Sequence, residues 1–520
     1  MRWAGKELSA LKSPFVSSEV ETRSAGSRLA RPSTSLGTNG WVLALLLSAP
    51  AIAAPPAGPA EQATRAALAR IAAKDKATTN AVIATNPQAI AEARALDRQR
   101  MARGPLFGRP VLIKDNIETR EQPTTAGSLA LAANDTHRDA PLVSGLRASG
   151  AVILGKTNLS EWANIRSTHS ISGWSAVGGQ TRNPSDLARS PCGSSSGSGA
   201  AVAAGYVDLA IGTETDGSVT CPSAMNGIVG LKPTVGLVSR THVVPISHSQ
   251  DTPGPMAKTV RDAALLLSAI AGSDPADPAT ADADKYRTDY TAALTPDALR
   301  GVRIGVMRFD TGDQPKLDKA FEAALATLAK AGAILVDIKK SDVDLGRDEH
   351  LVLMTELKAD LNTYLATTPA TVKTRALAGV IAFNDANAAR EMPLFGQESF
   401  LAAEQTKGLD DPDYLAARKR SARKAGPEGI DRLLKDNDVV ALVGPTAGPA
   451  VPIDAVNGDH FGGGPDAGSI AAVAGYPHLT VPMGRIQGLP VGLSFIGTKW
   501  SEAKLLALGY AYEQARGPVR

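Results

Sequence analysis

Two loops concentrate glycines and hydroxyls around a short apolar interval: Cys192-Gly193-Ser194-Ser195-Ser196-Gly197-Ser198-Gly199 and Gly212-Thr213-Glu214-Thr215-Asp216-Gly217-Ser218. Glycine at such positions lets backbone amides face a ligand, the arrangement that holds anionic atoms and oxyanions. Hydroxyls beside such amides suggest serine nucleophilic catalysis, and a serine hydroxyl is a weak nucleophile until a neighbouring base takes its proton. Lys114 closes the apolar run Pro110-Val111-Leu112-Ile113. A lysine there is ordinarily a surface charge. Buried, it would lose basicity from its usual pKa of ~10.4 toward neutrality, and a neutral amine can act as the base, with a second serine passing the proton between them.

Other chemistries fit the same loops less well. Gly193-Ser194-Ser195-Ser196-Gly197 matches the Gly-x-Ser-x-Gly pattern that would make Ser195 the nucleophile. That pattern needs a preceding strand and a partner histidine. Residues 182–190 are polar, and nothing singles out one of His242, His248, His350, His460 and His478. A phosphate-binding loop needs a lysine after its glycines, and none follows here. A flexible Gly/Ser linker would not run directly into Ala200-Ala201-Val202-Ala203-Ala204 and an apolar strand.

The elements that must position these residues alternate between strand and helix. A buried strand is expected over 108–116, a crossover helix over 139–150 and a strand over 151–155, a βαβ-type succession. Residues 200–204 suit a short helix and 207–211 a buried strand. From 61 to 103 the pattern is helical, with Asn86 as N-cap and Pro87 at the first helical position. Thr259 opens a helix with Asp262 placed for a capping box. A polar, exposed connection over 274–299 precedes a second strand-helix-strand unit at 302–306, 315–331 and 334–338. Residues 347–434 read as polar and mostly helical, strands return at 439–443, 479–482 and 491–496, and a helix closes the chain from 501 to 516. The fold class is α/β: a single large domain with a mixed central β-sheet covered by helices.

Over 520 residues, 43% apolar and 21% charged content suffices for a large core. The net charge of +3 has no basic block behind it and aromatics are only 4%, so no nucleic-acid partner is implied. Residues 1–54 are set apart from the fold. A Ser/Arg-rich stretch leads to Trp41-Val42-Leu43-Ala44-Leu45-Leu46-Leu47-Ser48-Ala49 and then Ala51-Ile52-Ala53-Ala54. Its length and small-residue ending read as a secretory signal behind an over-long start, or else as an uncleaved anchor. The expectation is an exported, periplasmic or secreted protein, with no membrane contact in its mature form. Cys192 and Cys221 sit in no metal-type spacing, and the leading expectation is two unpaired thiols lining a pocket, with a disulfide as the alternative.

The loops and the lysine together resemble the amidase signature family, serine hydrolases that cleave amide bonds with a Ser-cisSer-Lys triad. The likeness is carried by Pro110 to Asp115, by the Gly193-Ser194-Ser195 loop and by Gly212 to Ser218, and it spans 104–271 and 439–516 with a weaker, variable region over 275–434. The resemblance implies Lys114 as base, Ser194 as relay after a cis peptide, and Ser218, 24 residues beyond Ser194, as acyl-forming nucleophile. It places the oxyanion hole on the backbone amides of Thr215, Asp216, Gly217 and Ser218. Candidate pocket residues are Trp174, Gln180, Cys192 and Ser195. The family commonly has glycine at the position of Asp216 and arginine at that of Thr220. With Ile171-Ser172-Gly173-Trp174-Ser175, the loops resemble bacterial peptide amidases, implying a peptide or small-molecule amide substrate, an acyl-enzyme, no metal or other cofactor, and a monomer. A small-amide amidase and a glutaminase subunit of a tRNA-dependent amidotransferase are the alternatives.

Overall fold

Val111, Leu112 and Ile113 are each fully buried, as a strand covered on both faces requires. Val111 and Ile113 pack into one core with Leu142, Leu146, Leu209 and Ile211, while Leu112 packs on the other side with Leu154, Ala200 and Val202. In the computed structural model the described residues are 57–99, 104–341, 343, 345–460, 464–465 and 467–518. The segment read as an export signal lies outside them.

The described residues form an eleven-stranded mixed sheet. In chain order its strands are β1 (Val82–Thr85), β2 (Pro110–Lys114), β3 (Val152–Thr157), β4 (Leu209–Glu214), β5 (Val229–Lys232), β6 (Thr252–Ala257), β7 (Arg303–Met307), β8 (Ile334–Ile338), β9 (Ala441–Pro445), β10 (His478–Ile486) and β11 (Leu489–Ile496). Their spatial order is β1-β3-β2-β4-β6-β5-β10-β11-β9-β7-β8. β3, β2 and β4 are parallel, as are β9, β7 and β8, and antiparallel strands join the two parallel blocks. Helices Pro141–Ala148, Val260–Ile270, Pro315–Lys330 and Glu502–Arg516 cover one face. Helices Pro59–Lys74, Ala89–Asp97 and Ser196–Ala203 cover the other at the β2 end. Asp348–Ala366, Leu377–Ala386 and Glu398–Glu404 build a separate helical cluster around Leu361, Leu365 and Phe400.

Several sequence expectations need correction. The helical run over 61–103 is broken by β1, which pairs with the edge of the sheet at β3. Asn86 Oδ1 accepts from the Gln88 amide at 2.8 Å, and the helix it precedes begins only at Ala89. β5 and β6 were not expected. Thr252-Pro253-Gly254-Pro255 argues against a strand, since proline removes a ladder donor, yet β6 lies between β4 and β5, where pairing on both sides overrides propensity. The polar segment 274–299 is pinned by buried Thr280, Ala283, Tyr290 and Leu299 rather than being freely exposed. The Thr259 cap is present: its hydroxyl accepts from the Asp262 amide at 3.1 Å.

Candidate active site

Alternation along β2 decides where Lys114 goes. Side chains two apart share a face, so Lys114 emerges beside Leu112 and toward the helix Ser196–Ala203. Its side chain is fully buried, and its Nζ lies 2.7 Å from Ser194 Oγ, 2.9 Å from Thr213 Oγ1 and 3.2 Å from the Thr213 carbonyl. Thr213 Oγ1 also accepts from Asn116 Nδ2 at 3.0 Å. Burial pulls the Lys114 pKa down to about 7, with the charges of Asp251 and Glu214 opposing the fall.

The two serine loops meet over this lysine. The Gly193–Ser194 peptide is cis, and Ser194 is fully buried just before the helix that starts at Ser196. The Ser195 amide donates to the Ser218 carbonyl at 3.1 Å, tying one loop to the other. Close approach requires Gly212: a Cβ there would stand 2.6 Å from Ser195 Oγ and 2.7 Å from Met256 Sδ. Gly217 has φ +73°, in the left-handed region that favours glycine. A Cβ on it would meet nothing within 4 Å.

The carboxylate of Glu214, buried at the end of β4, accepts from the amides of Val219 and Thr220 at 2.8 and 2.9 Å and from Thr220 Oγ1 at 3.1 Å. Those amides are therefore taken, whereas the amides of Gly217 and Ser218 find no protein acceptor among the described residues. Asp251 braces the other side. Its Oδ1 accepts from Thr215 Oγ1 at 2.6 Å, and its Oδ2 accepts from the amides of Ile246 and Ser247 at 2.7 and 2.9 Å. Burial raises the Asp251 pKa to about 6, against the lowering effect of the Thr215 hydroxyl. The Asp216 carboxylate turns to Ser469 Oγ, 2.7 Å away.

Thr215, Asp216, Gly217 and Ser218 line a cavity of about 770 Å3, together with Cys192, Gly193, Asn164, Arg189, Gln314 and the segment 446–452. Cys192 and Cys221 are joined as a disulfide with Cα atoms 6.0 Å apart, which corrects the expectation of two free thiols. Their separation of 29 residues spans the interval in which one loop returns beside the other, and that return is not visible in local sequence. Of the four candidate pocket residues, only Cys192 is in the cavity lining. Ser195 is fully buried, its Oγ bonded to the Thr213 carbonyl at 3.1 Å and accepting the Thr213 amide at 3.2 Å. Trp174 packs edge-on against Phe395 with ring centres 5.2 Å apart, and Gln180 Nε2 donates to the carbonyls of Ser172 and Thr181.

Asn116, Thr213, Glu214 and Asp251 were given no role in the sequence reading. Asn116 carried a local signal, being two residues past Lys114, and Thr213 and Glu214 stand inside the second loop. Asp251 carried none, because it arrives from the unrecognised approach to β6. Among the described residues, His248, Glu356 and Asp360 bring three metal-type side chains together. His248 Nδ1 faces Asp360 at 2.9 Å and Nε2 faces Glu356 at 3.2 Å. The hydrogen bond to Asp360 raises the His248 pKa, against the lowering effect of burial.

The buried lysine at a strand end, the two converging serine loops and the large mixed sheet define an amide hydrolase. The amidase family model matches residues 62–506, and the chain belongs to that family. A solved structure of native peptide amidase from Stenotrophomonas maltophilia is similar at 51% identity and a TM-score of 0.83, covering 89% of this chain and 94% of that one. A peptide amidase in complex with the competitive inhibitor chymostatin is similar at 52% identity, with a TM-score of 0.83, covering 88% of this chain and 94% of that one. A probable amidase of Arabidopsis thaliana is 41% identical, covering 84% of this chain and 83% of its own length. A glutamyl-tRNA(Gln) amidotransferase subunit of Chloroflexus aurantiacus is 38% identical, covering 88% of this chain and 93% of its own length.

Proposed function

We propose that this amidase removes the C-terminal amide of peptides through an acyl-enzyme on Ser218, with Ser194 and Lys114 carrying the proton. The observation behind the mechanism is the 2.7 Å contact between the fully buried Lys114 Nζ and Ser194 Oγ. A neutral amine has two N–H bonds and one lone pair. The Thr213 carbonyl and hydroxyl accept the two hydrogens, which leaves the lone pair for the Ser194 proton. Ser194 in turn takes the proton of Ser218 as its Oγ attacks the carboxamide carbon. The tetrahedral oxyanion is held by the amides from Thr215 to Ser218, donors worth about 2.7–4 kcal/mol each in other serine hydrolases. Collapse breaks the C–N bond, the proton returns through Ser194 to the leaving nitrogen, ammonia departs, and water releases the acid by the same route.

The substrate reading draws on the two peptide amidase structures, each similar over most of this chain. Export is supported by the Cys192–Cys221 disulfide, since such bonds persist in oxidising compartments. Among the described residues no helix is long and apolar enough to cross a membrane. The mature chain is proposed to act as a monomer. Incubation with N-acyl peptide amides should release ammonia and leave the peptide acid, whereas Ser218→Ala should remain folded and give no turnover. Retained turnover in Ser218→Ala would move the nucleophile to another serine. Faster release from free glutamine than from any peptide amide would favour the glutaminase alternative.

A further inference from the structure

The loop that carries Asp251 is gripped by a helix outside the sheet. In the helix Asp348–Ala366, Glu349, Glu356 and Asp360 are spaced by seven and four residues and so share one face. Gln250 Nε2 donates to Glu349 Oε1 at 2.9 Å. Asp360 accepts from the His248 amide at 2.8 Å and faces His248 Nδ1 at 2.9 Å. Glu356 takes the most: the Ser247 hydroxyl and the Ser249 amide meet its Oε2 at 2.5 and 3.0 Å, and the hydroxyls of Ser249 and Tyr414 meet its Oε1 at 2.6 and 2.7 Å. Glu356 is fully buried, and Tyr414 reaches it from the helix Pro412–Ala425. His248 Nε2 stands 3.2 Å and Arg418 Nε 3.6 Å from the same carboxylate.

A short path leads from this grip to the second serine loop. Ser247 is held at both ends, its hydroxyl on Glu356 and its amide on Asp251 Oδ2 at 2.9 Å. The other oxygen of Asp251 accepts from the Thr215 hydroxyl at 2.6 Å, and Gln250 Nε2 lies 3.4 Å from the Thr215 carbonyl. Thr215 begins the row of amides assigned to the oxyanion. Burial lowers the Lys114 pKa, and Asp251 is the first of the two carboxylates that oppose the fall. Two parts of the proposed site therefore hang on one loop, a less rigid support than a strand or helix unless other groups hold it. A displacement of about 1 Å at such a support can cost on the order of 10²-fold in rate.

We infer that Glu356 is a positioning residue for amide hydrolysis: through Ser247 and Asp251 it sets the place of Thr215, and with it the oxyanion row, from outside the sheet. The inference rests on the acyl-transfer role of Ser218 and on the amide row before it. A carboxylate suits this position because both of its oxygens accept, and four donors arrive, one of them a main-chain amide that can only donate. Glutamine there offers one accepting oxygen and sets an NH2 against hydroxyls or that amide. Glu356 itself is not among the residues lining the cavity above Ser218, so its effect on the reaction passes through the loop.

The test uses the full chain and an N-acyl peptide amide, with rates referred to the folded fraction. Glu356→Gln should lower kcat and kcat/KM together by about 10- to 100-fold and leave KM within about twofold. It should also move the Lys114 limb of the pH profile to lower pH, as Asp251 loses its place. Ser247→Ala with Ser249→Ala removes two hydroxyl donors and leaves Glu356 intact. That pair should reproduce the pattern with a smaller fall, and it decides the matter if the Gln variant does not fold. Urea that destabilises the parent by as much as the substitution does should leave kcat of the folded fraction alone. Unchanged kcat in the folded variants overturns the inference, as does a rise in KM without a fall in kcat, a limb that stays in place, or a fall in kcat that urea reproduces. Turnover surviving in Ser218→Ala sinks the nucleophile assignment instead, and is a separate result.

Discussion

Lys114 and Lys156 end neighbouring parallel strands and both are buried, yet they meet opposite surroundings. The register explains this. An irregularity between Val111 and Leu112 sets Gly155 opposite Leu112 and Lys156 opposite Ile113. Lys156 therefore emerges on the Ile113 face, while Lys114 emerges on the Leu112 face. Asp115, the residue after Lys114, turns to the Ile113 face as well, and its Oδ1 comes within 3.3 Å of Lys156 Nζ. Lys156 also donates to the Ile117 carbonyl at 2.6 Å and to Thr124 Oγ1 at 2.8 Å. Burial lowers the pKa of both amines, but for Lys156 a touching carboxylate opposes the fall, and for Lys114 the opposing carboxylates, Asp251 and Glu214, act from farther off. A buried lysine with a carboxylate in contact is a strut, whereas one ringed by hydroxyls and a carbonyl is free to exchange a proton.

Substitution at the two sites should give opposite signatures. Lys114→Met should lower kcat/KM by roughly 10²–10⁴, the usual worth of a positioned base, with the unfolding midpoint kept near that of the parent. Lys156→Met should do the reverse: it strands the Asp115 carboxylate and should cost about 3–5 kcal/mol of stability in urea titration, while the folded fraction keeps its specific activity. Equal losses of activity at both positions would erase the distinction.

A smaller effect concerns what holds the Ser194 loop over Lys114. Replacing both cysteines, Cys192→Ser with Cys221→Ser, should cost about 2–4 kcal/mol, and reductant should then no longer shift the urea midpoint, although it does so in the parent. The smallest effect is electrostatic. The proposed mechanism requires Lys114 to be neutral, so kcat/KM should rise with pH through about 7 and level off above it. Asp251 holds the lysine pKa up, and Asp251→Asn should therefore move that limb to lower pH. An unmoved or raised limb would show that the remote carboxylate does not reach the amine.

Much of the architecture was legible because the chain alternates apolar strands with amphipathic helices at ordinary lengths. β2, β3, β4, β7, β8, β9, β10 and β11 were anticipated to within a few residues, as was the Thr259 cap. β1 was absorbed into a helical run rich in alanine, and β6 was hidden by Pro253, Gly254 and Pro255. In both cases pairing with a neighbouring strand outweighed local preference. In the site, Lys114, Ser194 and Ser218 could be selected only because three short motifs agreed in order and spacing. Asp251 reaches Thr215 across 36 positions and Ser469 reaches Asp216 across 253, separations that no local pattern encodes.

Composition, periodicity and motif spacing determined the α/β class, the two glycine-rich loops and the strand that ends in a lysine, because each of these is a property of a few consecutive residues. Which face of the sheet that lysine occupies, that Cys192 reaches Cys221, and that Trp174, Gln180 and Ser195 stay out of the cavity were decided only when β2 to β6 aligned. Strand register and loop convergence depend on contacts between residues tens to hundreds of positions apart, and a one-residue change of register would have put Lys114 on the face that Lys156 occupies.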